Sequence, residues 1–153
     1  MTRKTLTGLV ISLLSVASGA QAALQTSGAS FVAFNAGEAI NVDNLSNGAR
    51  TNLSFGQTLV SSVTRNTITA GSQSFTITGL HNGTQSTSCT LFSSRSDGTT
   101  VASKDASVLN VSGAWSKTVS MTAAELPSNA RVVAICSVPG NFQGVLHGIS
   151  TTP

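Results

Sequence analysis

The chain has 153 residues, of which 40% are hydrophobic and only 8% charged, with a formal net charge of +3. Arg3 and Lys4 supply two of the eight basic side chains, and beyond residue 22 six basic residues face five acidic ones, a net charge of +1. The remaining positive charges are scattered and form no run that could track a phosphate backbone, so nucleic acid is not an expected partner.

The chain opens with MTRKTLTGLVISLLSVASGAQAA. Arg3 and Lys4 make a positive start, Leu6 to Val16 is mostly apolar, and Ala20-Gln21-Ala22 is a small-x-small cleavage pattern. This is the layout of a secretory signal peptide cut before Ala23. The apolar run is shorter than the ~20 residues of a spanning helix, so no membrane span is expected after cleavage. The expected division is a signal peptide over 1–22 and one domain over 23–153. That second part, 131 residues long, is sufficient for a hydrophobic core. The expected location is the periplasm or the extracellular space.

Beyond residue 22 the dominant pattern is short and alternates every second residue, as in half-buried β-strands. FVAF, AINV and NLSFGQTLVSSV are early strand candidates. The run NVDNLSNG, residues 41–48, invites comparison with a calcium loop, but Leu45 stands where an oxygen ligand is needed, so an Asx-rich turn is expected. QSFTITG puts Phe75 and Ile77 on one face, and TSCTLFS puts Cys89 and Leu91 together. Leu109, Val111 and Trp115 share a parity if their strand is continuous, as do Val119 and Met121. RVVAICSV is apolar on both parities, which predicts a central strand buried on both sides. GVLHGI closes the series. Asn47-Gly48, Asn82-Gly83 and Asp97-Gly98 are turn dipeptides that tolerate positive φ, and Pro127 and Pro139-Gly140 break the chain later. Only MTAAEL, residues 121–126, suggests a turn of helix. The fold class that follows is all-β: an antiparallel β-sandwich, jelly-roll or immunoglobulin-like.

Two cysteines, Cys89 and Cys136, lie at core-facing positions of their strands. An exported chain meets an oxidising compartment, so a disulfide is expected. A reactive thiol needs an electropositive site near a base, and a thiolate zinc site wants about four ligands. Two Cys, two His and no CxxC spacing supply neither, so no metal and no cofactor are expected.

No catalytic pattern stands out. His81 sits in a Leu-His-Asn-Gly turn and is expected to be exposed, whereas His147 shares the parity of Val145 and Ile149 and is expected at a core or edge position. No GxSxG elbow is present, and five scattered carboxylates do not mark a hydrolytic pair. An enzyme is not expected. Sugar-binding modules stack rings on aromatic side chains, and Trp115, the single tryptophan in a chain without tyrosine, is the one ligand-binding candidate, with a core position as the alternative. Asn-x-Ser/Thr occurs at Asn44, Asn52, Asn82 and Asn110 and is read as chance in a bacterial chain.

SCTLFSSRSDGTTVAS and AAELPSNARVVAICSVPGNFQGVLHGI together resemble a group of small exported proteins of Gram-negative bacteria. The shared pattern is a Cys-x-Leu-aromatic strand, a Leu-Pro turn and a Val-rich strand ending in Cys before Pro-Gly. The group often carries a further cysteine where Phe31 stands and another near Leu59 to Val63, and this chain has neither. The resemblance implies a β-sandwich with a Cys89–Cys136 staple and assigns no activity. The functional expectation is a non-enzymatic periplasmic or cell-surface binding or structural protein. A carbohydrate-binding module and a self-assembling fibre or surface-layer subunit are the alternatives, with a glycan or another copy of the chain as partner.

Overall fold

The computed structural model describes residues 23–153, so the signal-peptide expectation over 1–22 lies outside the described residues. Ten strands follow one another: β1 (Leu24–Ser27), β2 (Val32–Ala33), β3 (Val42–Leu45), β4 (Gly48–Thr51), β5 (Gln57–Val63), β6 (Gln73–Ser94), β7 (Thr100–Asp105), β8 (Val108–Met121), β9 (Arg131–Val138) and β10 (Gly144–Thr152). Two short 3₁₀ turns, Gly28–Ser30 and Ala36–Asn41, are the only helical elements among the described residues. Every pairing is antiparallel, and the all-β sandwich expected from the alternation is the fold.

One strand organises both layers. The first half of β6, Gln73–His81, pairs with β8 on one side and β10 on the other. Its second half, Ser88–Ser94, pairs with β7 and β9. Beyond β10 lie β1 and β4, with β3 outside β4. Beyond β9 lie β5 and then β2. The chain crosses between layers over Asn82–Thr87, where Gly83 has φ +84°. Asn82-Gly83, expected as a turn between two strands, is instead the corner of a single long strand. A residue without Cβ adopts the left-handed backbone of that corner without steric cost.

The core forms between the layers. Phe75 and Ile77 from the first half of β6 meet Cys89 and Leu91 from its second half, with Leu59, Ala134, Leu146 and Ile149. Cys89 and Cys136 are directly opposite in the β6–β9 ladder, with Cα atoms 4.1 Å apart, and are joined by a fully buried disulfide. The bridge spans 47 residues, and loop-closure entropy values such a link at about 4 kcal/mol.

Three local expectations differ from the structure. β9 is a central strand, but only Val132, Ala134, Cys136 and Val138 are buried, while Val133 and Ile135 are half-buried on the outer face. The Asx-rich turn expected over residues 41–48 is confined to Ser46-Asn47, because Val42–Leu45 and Gly48–Thr51 pair as the β3–β4 hairpin. Leu109 does not share the inward face of Trp115: it is 67% exposed, because the β6–β8 register shifts between His81 and Thr87. The MTAAEL segment, expected as a turn of helix, makes a single hydrogen-bonded turn over Thr122–Leu126 that is not extended into a helix, with Leu126 N donating to Thr122 O at 2.9 Å. Thr122 and Glu125 cap each other, Thr122 N donating to Glu125 Oε2 at 2.8 Å and Glu125 N to Thr122 Oγ1 at 3.4 Å. This is the reciprocal arrangement of a capping box.

Candidate functional site

The end of the sandwich where β6 crosses gathers the loops Asn52–Gly56 and Pro139–Gln143 beside the 3₁₀ turn Ala36–Asn41. Pro139–Gln143 is held tightly. Asn141 N donates to Leu53 O at 2.6 Å, Phe142 N to Thr51 O at 3.0 Å, and Asn82 N to Gln143 O at 2.8 Å. Gly140 must be glycine, because a Cβ there would overlap the carbonyl oxygens of Leu53 and Phe55 at 2.5 Å. Asn141 and Phe142 both have positive φ, 52° and 60°. Asparagine tolerates that conformation, but a bulky residue does so at a cost of about 1–3 kcal/mol. Backbone hydrogen bonds to Thr51, Leu53 and Asn82 over-determine the strained turn, and the result is an aromatic ring left exposed.

Phe142 is 44% exposed, and Phe55, on the loop it is bonded to, is 64% exposed. The Arg50 guanidinium lies over the Phe142 ring, 4.5 Å from its centroid. Its Nε and Nη2 both donate to Asp43 Oδ2, at 2.9 and 2.8 Å. Each partner is partly solvated, so the pair adds little to stability. Its consequence is positional: the carboxylate orients the planar guanidinium and the guanidinium backs the ring. On the other flank of Pro139-Gly140 runs a groove of about 430 Å³. Gln85, Ser86, Ser88, Asn110 and Ser137 supply its hydroxyl and amide groups, and no charged side chain lines it. Phe55 immediately precedes Gly56, which forms part of its wall.

Trp115, the sequence candidate for an exposed platform, is in the core. It is 8% exposed and packs on Gly79, where a Cβ would overlap the indole. The His81 ring lies 5.4 Å from it, centroid to centroid. An indole in this niche presents no face for a sugar to stack on, which corrects the platform expectation. The core alternative is what β8 adopts: Trp115 faces inward because its partner Gly79 leaves the room.

His81 is also a correction. It is 2% exposed, not a surface turn residue. Its Nδ1 lies 3.1 Å from Val111 O and its Nε2 2.8 Å from Thr87 Oγ1, so both ring nitrogens are engaged. His147 is half-buried on the opposite face of the first layer, and the two imidazoles are not brought together. Cys89 and Cys136 are consumed in the disulfide. Among the described residues no group of three or more His, Cys, Asp or Glu side chains could hold a metal ion, and no helix is long and apolar enough to cross a membrane.

Arg50, Phe55 and Phe142 were missed by reading periodicity. The signal for Phe142 is its neighbourhood: an aromatic residue in Pro-Gly-Asn-Phe-Gln-Gly, where no strand pattern calls for one.

No protein-family model matches the sequence, and no curated protein matches it. Solved structures do. The chain is similar to the carbohydrate-binding module CBM35 from Cellvibrio japonicus Abf62, at TM-score 0.55 and 17% identity over 86% of this chain and 94% of that one. A family 35 carbohydrate-binding module from Clostridium thermocellum gives TM-score 0.55 at 8% identity, over 85% and 97%. The CBM36-1 domain of a multidomain xylanase from the hindgut metagenome of Trinervitermes trinervoides gives TM-score 0.55 at 12% identity, over 86% and 98%. At these identities the likeness is one of fold, and the fold is the β-sandwich that these modules share with this chain.

Proposed function

We propose that the chain is an exported, non-catalytic module that binds a polysaccharide at the crossing end of the sandwich. The observation that carries this reading is the pair of exposed rings, Phe55 and Phe142, set on loops beside an uncharged groove of hydroxyls and amides. A sugar has an apolar ring face and an equatorial rim of hydroxyls. Aromatic rings match the first and side-chain amides and hydroxyls the second. The strained, over-determined turn under Phe142 pre-organises the ring, which lowers the entropy cost of binding. The buried disulfide supports an oxidising compartment. The fold shared with carbohydrate-binding modules supports this reading over a purely structural role.

Self-assembly through open strand edges has less support. β2 has two residues and β3 four, and each outermost long strand carries a lysine on its inward parity: Lys104 of β7 opposite Leu91, and Lys117 of β8 opposite Ile77. Short edges and inward-pointing charges both hinder edge-to-edge pairing.

The test is calorimetric titration and pull-down of residues 23–153 with a panel of plant and bacterial polysaccharides, against Phe55→Ala and Phe142→Ala. Each variant is expected to weaken binding of the responsive glycan by about tenfold or more, that is about 1.4 kcal/mol. Binding that survives both substitutions unchanged would move the site elsewhere. No response to any glycan would return the chain to the structural class.

A further inference from the structure

We propose that a pocket on the outer face of the first layer, beside His147, is a second binding site, for a neutral, hydroxyl-rich ligand such as a single sugar ring. It has a volume of about 380 Å³, within the roughly 300–1,000 Å³ range of small-molecule sites. Its polar walls come from Gln25, Ser27, Ser46, Thr78, His147 and Ser150.

A break in the β10 ladder creates it. Leu146 pairs with Gly79 and Gly148 with Thr78, which are neighbours in β6, so His147 is an extra residue, a bulge. As a result Leu146 and Ile149 are both buried although they differ in parity, and His147 turns out of the core. The backbone is shaped to permit this. Gly148 has φ +147°, and a Cβ there would overlap Thr26 O. Cβ atoms on Gly28 and Gly48 would each overlap Leu146 O, so the bulged carbonyl is approached from two sides by residues that must lack side chains. An unbulged strand with Ile149 facing inward would turn His147 into the core as well. This one gives a pocket an imidazole, which is the re-aiming that bulges beside functional sites perform.

The hydrogen-bonding state of the walls separates this pocket from the sheet around it. Elsewhere on the same face the hydroxyls bond one another across strands: Ser74 Oγ with Ser120 Oγ at 2.9 Å, and Thr76 Oγ1 with Thr118 Oγ1 at 2.7 Å. Among the described residues the side chains of Gln25, Ser46, His147 and Ser150 make no such bond. Four uncommitted groups that can both donate and accept therefore converge on one concavity. No carboxylate in the wall could hold a cation, and no lysine or arginine could hold an anion. What the set matches is a ligand with several neutral hydroxyls.

This site is distinct from the groove at the crossing end. The two share no lining residue: Gln85, Ser86, Asn110, Ser137 and Gly140 border the groove, and Gln25, Ser46, Thr78, His147 and Ser150 border the pocket. Its failure would leave the loop-end reading standing.

The experiment is an amide NMR titration of residues 23–153 with neutral gluco-, manno-, galacto- and xylo-oligosaccharides in the millimolar range, with glucuronate and inorganic phosphate as charged contrasts. At least one neutral sugar is expected to shift the amides of Ser46, Thr78, Gly148 and Ser150 saturably. Those shifts should persist in the Phe55→Ala/Phe142→Ala double variant. They should need about tenfold more sugar in both His147→Ala and Ser150→Val, two substitutions at surface positions of separate residues, so that one misfolded variant does not decide the result. The proposal is overturned if no neutral sugar moves these amides, if only the charged probes do, or if both variants respond as the parent does.

Discussion

The two histidines sit on the same sheet and reverse their expected places. His81 follows a leucine and precedes Asn-Gly, which reads as a surface turn, yet it is 2% exposed with both nitrogens bonded. His147 lies in an apolar strand on the parity of Val145 and Ile149, yet it faces a solvent-open pocket. In each case the side chain obeys the strand, and the strand departs from simple alternation. β6 does not end at Asn82-Gly83 but turns a corner, so His81 keeps the inward parity of Phe75 and Ile77. β10 carries a bulge, so parity changes hands at His147. A polar residue on an inward position must find partners, and His81 finds two. A polar residue released by a bulge is free to bind something else.

The inward side of β6 should give the largest response to mutation. Cys89 shares it with His81, from the half of the strand that lies in the other layer, and its bridge to Cys136 closes 47 residues. Replacing both cysteines by serine is expected to cost about 4 kcal/mol in denaturant unfolding. A loss below about 1 kcal/mol would mean that the β6–β9 ladder alone restricts the unfolded chain and the bond adds little.

The comparison itself is tested by removing each imidazole in turn. His81→Ala leaves Thr87 Oγ1 and Val111 O without their buried partner and opens a void against Trp115. The expected loss is about 3 kcal/mol. His147→Ala removes a half-buried ring with no protein hydrogen bond among the described residues, and should stay within about 0.5 kcal/mol of the parent. Thermal and denaturant midpoints measured side by side check the contrast. Equal losses would mean that the bulge packs His147 as structure and does not release it.

Much of the sandwich was legible because its strands alternate cleanly where they are regular. Phe75, Ile77, Cys89 and Leu91 on β6, and Val132, Ala134 and Cys136 on β9, all face the core as their spacing implied. The pairing of Cys89 with Cys136 followed from their strand positions and compartment. Turn dipeptides marked the β3–β4 and β6–β7 hairpins at Asn47-Gly48 and Asp97-Gly98. What alternation could not show were the departures from it: the corner at Gly83, the β8 slippage that exposes Leu109, and the bulge at His147. The aromatic end was hidden for another reason. Phe55 and Phe142 lie in irregular loops, and only contacts between residues far apart in sequence, β4 with β10 and Thr51 with Phe142, bring Arg50 over the Phe142 ring. The weight placed on Trp115 reflected its rarity in the chain, and rarity says nothing about which face of a strand a residue occupies.

The smallest effect belongs to the outer edge, and it appears in acid. Glu125 accepts from Lys104 Nζ at 2.7 Å and from the Thr122 backbone N–H and hydroxyl. The Lys104 hydrogen bond first, then the Thr122 N–H, holds its carboxyl below the usual glutamate range. A carboxyl whose folded pKa is depressed stabilises the fold above its unfolded value, near 4.3, and that contribution is lost as pH falls through the folded pKa. Glu125→Gln removes the charge that Lys104 pairs with and should flatten the decline of the unfolding midpoint between about pH 6 and pH 3. Asp97, lowered chiefly by the Thr99 backbone N–H, keeps its own share of the decline in that variant. The slope should therefore shrink without vanishing. A parent and variant with identical acid slopes would show that the capped turn of Thr122–Glu125 holds its shape without the carboxylate, and that Lys104 serves β7 only by discouraging a neighbouring strand.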